Sequence, residues 1–90
     1  MDDDPVEIPI NGVLDLHTFR PSDVGSLIPD YLDACRRAGI LDVRIIHGKG
    51  TGTLRETVHA ILHRQADVAG FRIGNETSGG WGATVVTLRP

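Results

Sequence analysis

Asp42-Val43-Arg44-Ile45-Ile46-His47-Gly48-Lys49-Gly50-Thr51-Gly52-Thr53 is the stretch whose reading decides the fold. Residues 42–47 are rich in β-branched side chains and stop at a glycine, which predicts a strand. The glycine-rich loop 48–52 then runs directly into Thr53-Leu54-Arg55-Glu56, whose Thr-x-x-Glu spacing is that of a capping box, so a helix is predicted to start there. Leu54, Val58, Ile61 and Leu62 stand at offsets 0, 4, 7 and 8, an apolar stripe that carries this helix to about Ala66. A strand feeding a helix through a short loop is half of a βαβ unit, and the flanking sequence must supply the rest.

Toward the N-terminus, Val13-Leu14-Asp15-Leu16-His17 alternates, with Leu14 and Leu16 on one face and Val13, Asp15 and His17 on the other. This predicts a half-buried strand. Pro21 and Ser22 follow as a turn, with Ser22 the expected N-cap of a helix over residues 23–38. Its stripe is Val24, Leu27, Ile28, Tyr31, Leu32 and Cys35, and a kink is expected near Pro29. Arg36 and Arg37 suit the last turn, and Gly39 is a ready terminator. Toward the C-terminus, residues 71–75 read as a mostly polar edge strand and residues 78–82 as a turn. Residues 83–88 read as a strand apolar enough to be covered on much of both faces.

The order is therefore β-α-β-α-β-β. Right-handed crossovers make the first two strands parallel neighbours with both helices on one face. The apolar last strand suits a central place better than the polar third one. The expected architecture is a two-layer α/β sandwich whose four-stranded mixed sheet has the order 1-2-4-3, with strand 4 antiparallel.

The chain has 90 residues, 40% hydrophobic and 23% charged, which suits one domain. Residues 1–11 read as an acidic, flexible lead-in and residues 12–90 as the domain. No run approaches a membrane span, and Met1-Asp2-Asp3-Asp4 is the reverse of a basic signal-peptide start, so a cytoplasmic location is expected. The single cysteine, Cys35, excludes an internal disulfide or a cysteine zinc cluster. The formal charge of −3 argues against a strong non-specific nucleic-acid binder. Four of the twelve acidic residues, however, are Asp2, Asp3, Asp4 and Glu7, leaving the rest of the chain near neutral. Eight of the nine basic residues are Arg, which favours forked contacts with phosphate or carboxylate; Lys49 is the exception.

Open α/β sheets bind ligands at the carboxyl ends of their strands. His17 and His47 end the two parallel strands, so two imidazoles are expected to converge there, with Asp15 one pleat repeat behind His17 to orient it or to ligate a metal ion. The alternative is that both histidines merely terminate strands and bond to loop backbone. Gly48, Lys49, Gly50 and Gly52 lead into a helix N-terminus, where free amides favour an anion. A tight turn would need the same glycines. The loop has neither the Walker A spacing nor Gly-x-Gly-x-x-Gly, so a nucleotide cofactor is not supported. His59 and His63 lie four apart but lack the intervening Glu of a zinc-protease motif. Trp81 and Phe19 could stack on a base or cover the core.

Leu14-Asp15-Leu16-His17, His47-Gly48-Lys49-Gly50 and Gly80-Trp81-Gly82-Ala83-Thr84, in this order, resemble the Smr (small MutS-related) domain over about residues 12–89. The resemblance implies a two-layer β-α-β-α-β-β sandwich similar to the C-terminal domain of bacterial translation initiation factor three. It also implies nicking of DNA or endonucleolytic cleavage of RNA, including messenger RNA on stalled ribosomes. The family's Asp-x-His and His-Gly-x-Gly motifs fall on Asp15, His17, His47, Gly48 and Gly50. Many members have Gly where this chain has Thr18, which would narrow access beside His17. No ATPase or clamp region of the MutS paralogues accompanies the motifs, so a stand-alone Smr protein is expected.

The expected activity is thus a phosphodiesterase acting on RNA or flexible DNA. Asp15, His17 and His47 are its acid–base set, and Gly48, Lys49, Gly50, Gly52 and Trp81 bind the nucleic acid. On RNA the 2′-hydroxyl serves as nucleophile and no metal is needed; on DNA a water must be activated, and Asp15 becomes a Mg²⁺ ligand. The rival expectations are a non-catalytic nucleic-acid or ribosome-binding module and a protein-interaction module using the acidic tail.

Overall fold

The structure, a computed structural model, describes residues 8–74 and 82–90. Strand β1 (Val13–Asp15) passes into a single 3₁₀ turn (Leu16–Thr18) and then helix α1 (Pro21–Arg37). Strand β2 (Asp42–Ile46), helix α2 (Thr53–His63), strand β3 (Val68–Ile73) and strand β4 (Ala83–Leu88) complete the chain. The sheet order is β1-β2-β4-β3, with β1 and β2 parallel and β4 antiparallel to both its neighbours, as the apolar character of residues 83–88 predicts.

The core lies between one face of this sheet and both helices. Leu14, Val43, Ile45, Val86 and Leu88 come from the strands, Val24, Ile28, Tyr31, Leu32 and Cys35 from α1, and Val58 and Leu62 from α2. Each fully buried aliphatic side chain removes enough apolar surface to contribute roughly 1.5–3 kcal/mol. The opposite face of the sheet is more open: Val85 is half-buried and Thr87 exposed, so β4 is covered on one face rather than on most of both.

The helix ends differ from expectation in instructive ways. α1 begins at Pro21, with Arg20 at the N-cap making no side-chain cap bond, so Ser22 lies inside the first turn. Proline is favoured at the first helical position because an amide there would have no helical acceptor to lose. Gly39, at φ +80°, ends the helix in a Schellman motif, with the Gly39 N–H on the Arg36 carbonyl and the Ile40 N–H on the Cys35 carbonyl. α2 starts at Thr53 as expected, but its N-cap is Gly52 at φ +88°. Thr53 is the first helical residue, and its hydroxyl meets that of Thr51 at 3.0 Å, so no capping box forms. The helix stops at His63 instead of Ala66, because the Arg64 and Gln65 N–H groups make tight bonds to the Ile61 and Leu62 carbonyls.

β1 is shorter than its alternation suggests, because the Asp15 carboxylate accepts the His17 N–H at 2.9 Å and turns the chain out of the sheet. β3 starts at Val68, earlier than expected; an irregularity between Val68 and Gly70 interrupts the alternation that would have revealed it. Of the expected lead-in, residues 8–11 are among the described residues; Ile8 is partly buried and residues 9–11 are exposed. Ile8 packs on the core, and the Gly12 N–H donates at 3.1 Å to the Tyr31 hydroxyl, which in turn donates at 3.1 Å to the Val13 carbonyl. No helix among the described residues is long and apolar enough to cross a membrane.

Candidate functional site

The 3₁₀ turn after β1 places His17 beside Asp15. Oδ1 of Asp15 lies 2.6 Å from Nδ1 of the His17 ring as well as 2.9 Å from the His17 backbone nitrogen. The amide bond, followed by the ring contact, holds the Asp15 carboxyl below the usual carboxylate range. A carboxylate can only accept from Nδ1 of a neutral ring, so Nδ1 carries the proton and Nε2 is left as a free base. Nε2 looks onto Gly48: a Cβ added there would stand 3.6 Å from it.

Gly48, at φ +85°, starts the loop between β2 and α2. The Gly82 carbonyl accepts both the His47 and the Gly48 N–H at 2.8 Å. Gly82 comes so close that an added Cβ would sit 3.4 Å from the Gly48 backbone. The third sequence motif thus supports the second. Beyond Gly48, the N–H groups of Lys49, Gly50, Thr51 and Gly52 have no backbone acceptor among the described residues. They adjoin the positive end of the α2 dipole. A cleft of about 390 Å³ lies between this loop, Pro21 and Arg55. The Arg55 guanidinium folds back over the loop, so that an added Cβ on Gly52 would meet its Nη2 at 2.9 Å. Lys49, in the same loop, is exposed.

The two imidazoles do not converge on one ligand. His47 follows Val43 and Ile45 on the core face and is only 7% exposed. Its Nδ1 lies 2.9 Å from the Gly48 carbonyl oxygen and its Nε2 2.9 Å from Thr84 Oγ1. Nε2 of His59 reaches the same hydroxyl at 2.8 Å. Burial, with His47, Arg55 and His63 nearby, holds His59 below the usual imidazole range. His63 packs edge-on against Phe71 at 5.0 Å and His59 tilts against the same ring at 4.8 Å, so the pair share an aromatic neighbour. Among the described residues no group of three or more His, Cys, Asp or Glu is placed to hold a metal ion. Phe19 packs on the core, whereas Trp81 lies outside the described residues.

Sequence reasoning missed Arg55, His59 as a hydrogen-bond partner, and Thr84. A signal existed for Arg55, since a cation in the first turn of a helix opposes the dipole and suggests an anion nearby. For Thr84 the signal was a hydroxyl sharing strand parity with the apolar Val86 and Leu88.

The Smr domain family model matches residues 14–89. The chain belongs to the Smr family. This Smr chain is 38% identical over 80 residues to the endonuclease MutS2 of Halothermothrix orenii, covering 89% of this chain and 10% of that protein. It is 48% identical over 59 residues to that of Clostridium novyi, covering 66% of this chain and 8% of the relative. It therefore spans about a tenth of the length of the curated relatives it matches. Among solved structures, the Smr domain of Thermus thermophilus MutS2 superposes with a TM-score of 0.81 at 34% identity, over 89% of this chain and all of that one. YdaL, a stand-alone small MutS-related protein from Escherichia coli, superposes with a TM-score of 0.74 at 25% identity, over 88% of this chain and 65% of that one. The shared Smr fold is thus a four-stranded mixed sheet of order 1-2-4-3 with two helices.

Proposed function

We propose that this Smr domain is a nucleic-acid phosphodiesterase of the endonuclease type, acting on RNA or flexible DNA, and that the Asp15–His17 pair is its general base. The observation that carries this reading is the 2.6 Å Asp15–His17 contact, which leaves Nε2 beside Gly48 and a loop whose next four amides have no backbone acceptor among the described residues. The name of the MutS2 relatives, endonuclease, supports the same class.

On RNA, Nε2 of His17 takes the proton of a 2′-hydroxyl. The 2′ oxygen bonds to phosphorus as the bond to the 5′ oxygen breaks, giving a 2′,3′-cyclic phosphate and a 5′-hydroxyl. The proton then passes from His17 to the departing 5′ oxygen. The loop amides with Gly50 and Gly52, and the cations Lys49 and Arg55, neutralise the phosphate as charge builds on it. Trp81, from the third motif, stacks on a base of the substrate in this reading. His47 acts by holding the loop, since its ring is turned inward.

Mg²⁺ is left out of the mechanism. Asp15 would be the ligand, yet its Oδ1 is already engaged by both the His17 amide and the ring, and no second carboxylate joins it in a cluster among the described residues. A Mg²⁺ there would rest on the other oxygen of Asp15, with water and substrate phosphate as its remaining ligands; the metal-free route on RNA needs no such ion and is the one proposed.

A second reading, a non-catalytic nucleic-acid or ribosome-binding module, draws on the presence of one outward imidazole instead of two. Labelled structured RNA and supercoiled plasmid, each with wild type, Asp15→Ala, His17→Ala and His47→Ala, separate the readings. Cleavage by wild type that is lost with His17→Ala supports the enzyme. Equal inactivity of all four proteins, together with weaker binding by Lys49→Ala, supports the binding module.

A further inference from the structure

Thr84 is fully buried, on the helix-facing side of the central strand β4, in register with Ile45 on one side and Ile73 on the other. Valine would fill this volume without a polar atom, and Val85 and Val86 follow directly. A hydroxyl here costs stability unless it is fully bonded, and it is bonded by two histidines from different elements, His47 at 2.9 Å and His59 at 2.8 Å.

The direction of this chain of bonds follows from its far end. The Gly48 carbonyl oxygen can only accept, so Nδ1 of His47 carries the proton. Nε2 of the neutral His47 ring is then an acceptor, and the Thr84 hydroxyl must donate to it. The Thr84 oxygen in turn accepts from Nε2–H of His59. Proton donation thus runs from His59 to Thr84 to His47 to the Gly48 carbonyl.

The last link acts on the loop. No cis peptide is present among the described residues, so the Gly48–Lys49 peptide is trans and its C=O and N–H point in opposite directions. With the Gly48 carbonyl turned onto the His47 ring, the Lys49 N–H points away from that ring, and it has no backbone acceptor among the described residues. A flip of this peptide, which glycine permits easily, would instead offer a carbonyl oxygen to an incoming anion.

We infer that Thr84 and His59 are positioning residues that hold His47 in its Nδ1–H tautomer and thereby keep the Gly48–Lys49 peptide with its N–H toward the bound phosphate. This rests on the phosphate-binding part of the reading above, but its first test needs no cleavage. Nitrogen-15 spectra of the imidazole rings distinguish the two tautomers, and the Lys49 amide resonance reports on added inorganic phosphate.

Wild type and Thr84→Ser are expected to show His47 as the Nδ1–H form and a Lys49 amide that shifts with phosphate. Thr84→Val should give a mixed His47 population and a Lys49 response weakened about fivefold to tenfold in apparent affinity, the size of one lost hydrogen bond. His59→Phe, which keeps the packing against Phe71, should produce the same change and covers the case in which Thr84→Val does not fold. If the protein cleaves RNA, the same two variants should raise KM more than they lower kcat, with Thr84→Ser restoring both. An unchanged His47 tautomer in either folded variant, or failure of serine to restore the Lys49 response, overturns the inference. Absence of RNA cleavage by wild type overturns the enzyme reading and leaves the tautomer and amide results standing on their own.

Discussion

Oδ1 of Asp15 receives two hydrogen bonds from one residue, the backbone N–H of His17 at 2.9 Å and its ring Nδ1 at 2.6 Å. One carboxylate thus ends the strand, starts the turn and sets the histidine's tautomer. Backbone geometry and acid–base chemistry are fixed by the same atom, so Asp15→Asn should disturb both. Asparagine can keep the amide bond through its oxygen but offers no negative charge to the ring. Its cleavage rate is expected to fall while its circular dichroism stays native. His17→Ala, which removes the base itself, should fall by roughly a hundredfold or more, the usual scale of positioned proton transfer. Single-turnover rates on labelled RNA check both.

On the proposed reading, Arg55 sets stability against binding. It stands in the first turn of α2, where a cation opposes the helix dipole. Arg55→Gln is therefore expected to raise stability by about 0.3–1 kcal/mol while weakening binding of a single-stranded RNA. Urea unfolding and fluorescence anisotropy measure the two effects separately. A loss in both would mean that Arg55 supports the fold instead of the ligand.

Two glycines distinguish loop from scaffold. Gly48→Ala forces a side chain into the left-handed region, which costs about 1–2 kcal/mol, and brings a methyl group within 3.6 Å of His17 Nε2. Activity should fall more than stability alone accounts for. Gly12→Ala has the same backbone penalty and adds contacts of 3.2 Å to the Asp42 carbonyl and the Ile40 side chain. It should be the less stable of the two, yet retain cleavage at temperatures where it is folded. Paired melting curves and rates at 15 °C check this contrast.

His59 gives the fold a pH dependence. Burial depresses its proton affinity below the ordinary imidazole value of 6.5, with His47, Arg55 and His63 adding to the effect. The unfolded chain therefore binds a proton at a pH where the folded one does not. The stability linked to His59 is complete above about 6.5 and is lost as pH falls from there through the depressed folded value. Melting temperature should decline across that interval, and His59→Gln, which keeps a donor for Thr84 but cannot titrate, should flatten the decline.

The strand order was legible because residues 83–88 are apolar and the third strand is not. The helix stripes were legible because Val24 to Cys35 and Leu54 to Leu62 follow the helical period. The inward turn of His47 was also present in the sequence: Val43, Ile45 and His47 share one parity in a strand whose Val43 face is buried, whereas Asp15 shares parity with exposed Val13. Weighing strand ends over strand faces hid it. The partnership of His47 with His59 and Thr84 was not legible, since it joins residues 12 and 37 positions away through tertiary packing. The end of β1 at Asp15 was obscured because a local carboxylate–amide bond prevailed over an alternation that would have continued to His17.

The most direct measurement of the central claim is the cleavage of one RNA and of its copy carrying a single 2′-deoxy nucleotide on the 5′ side of the cut, both in excess EDTA, with the ends of the products identified. The account predicts that the all-ribose strand is cut to a 2′,3′-cyclic phosphate and a 5′-hydroxyl, that the deoxy copy is not cut at that position, and that His17→Ala cuts neither. Cleavage of the deoxy copy at the same position, or loss of all cleavage in EDTA with recovery on adding Mg²⁺, would contradict a metal-free reaction based on Asp15 and His17.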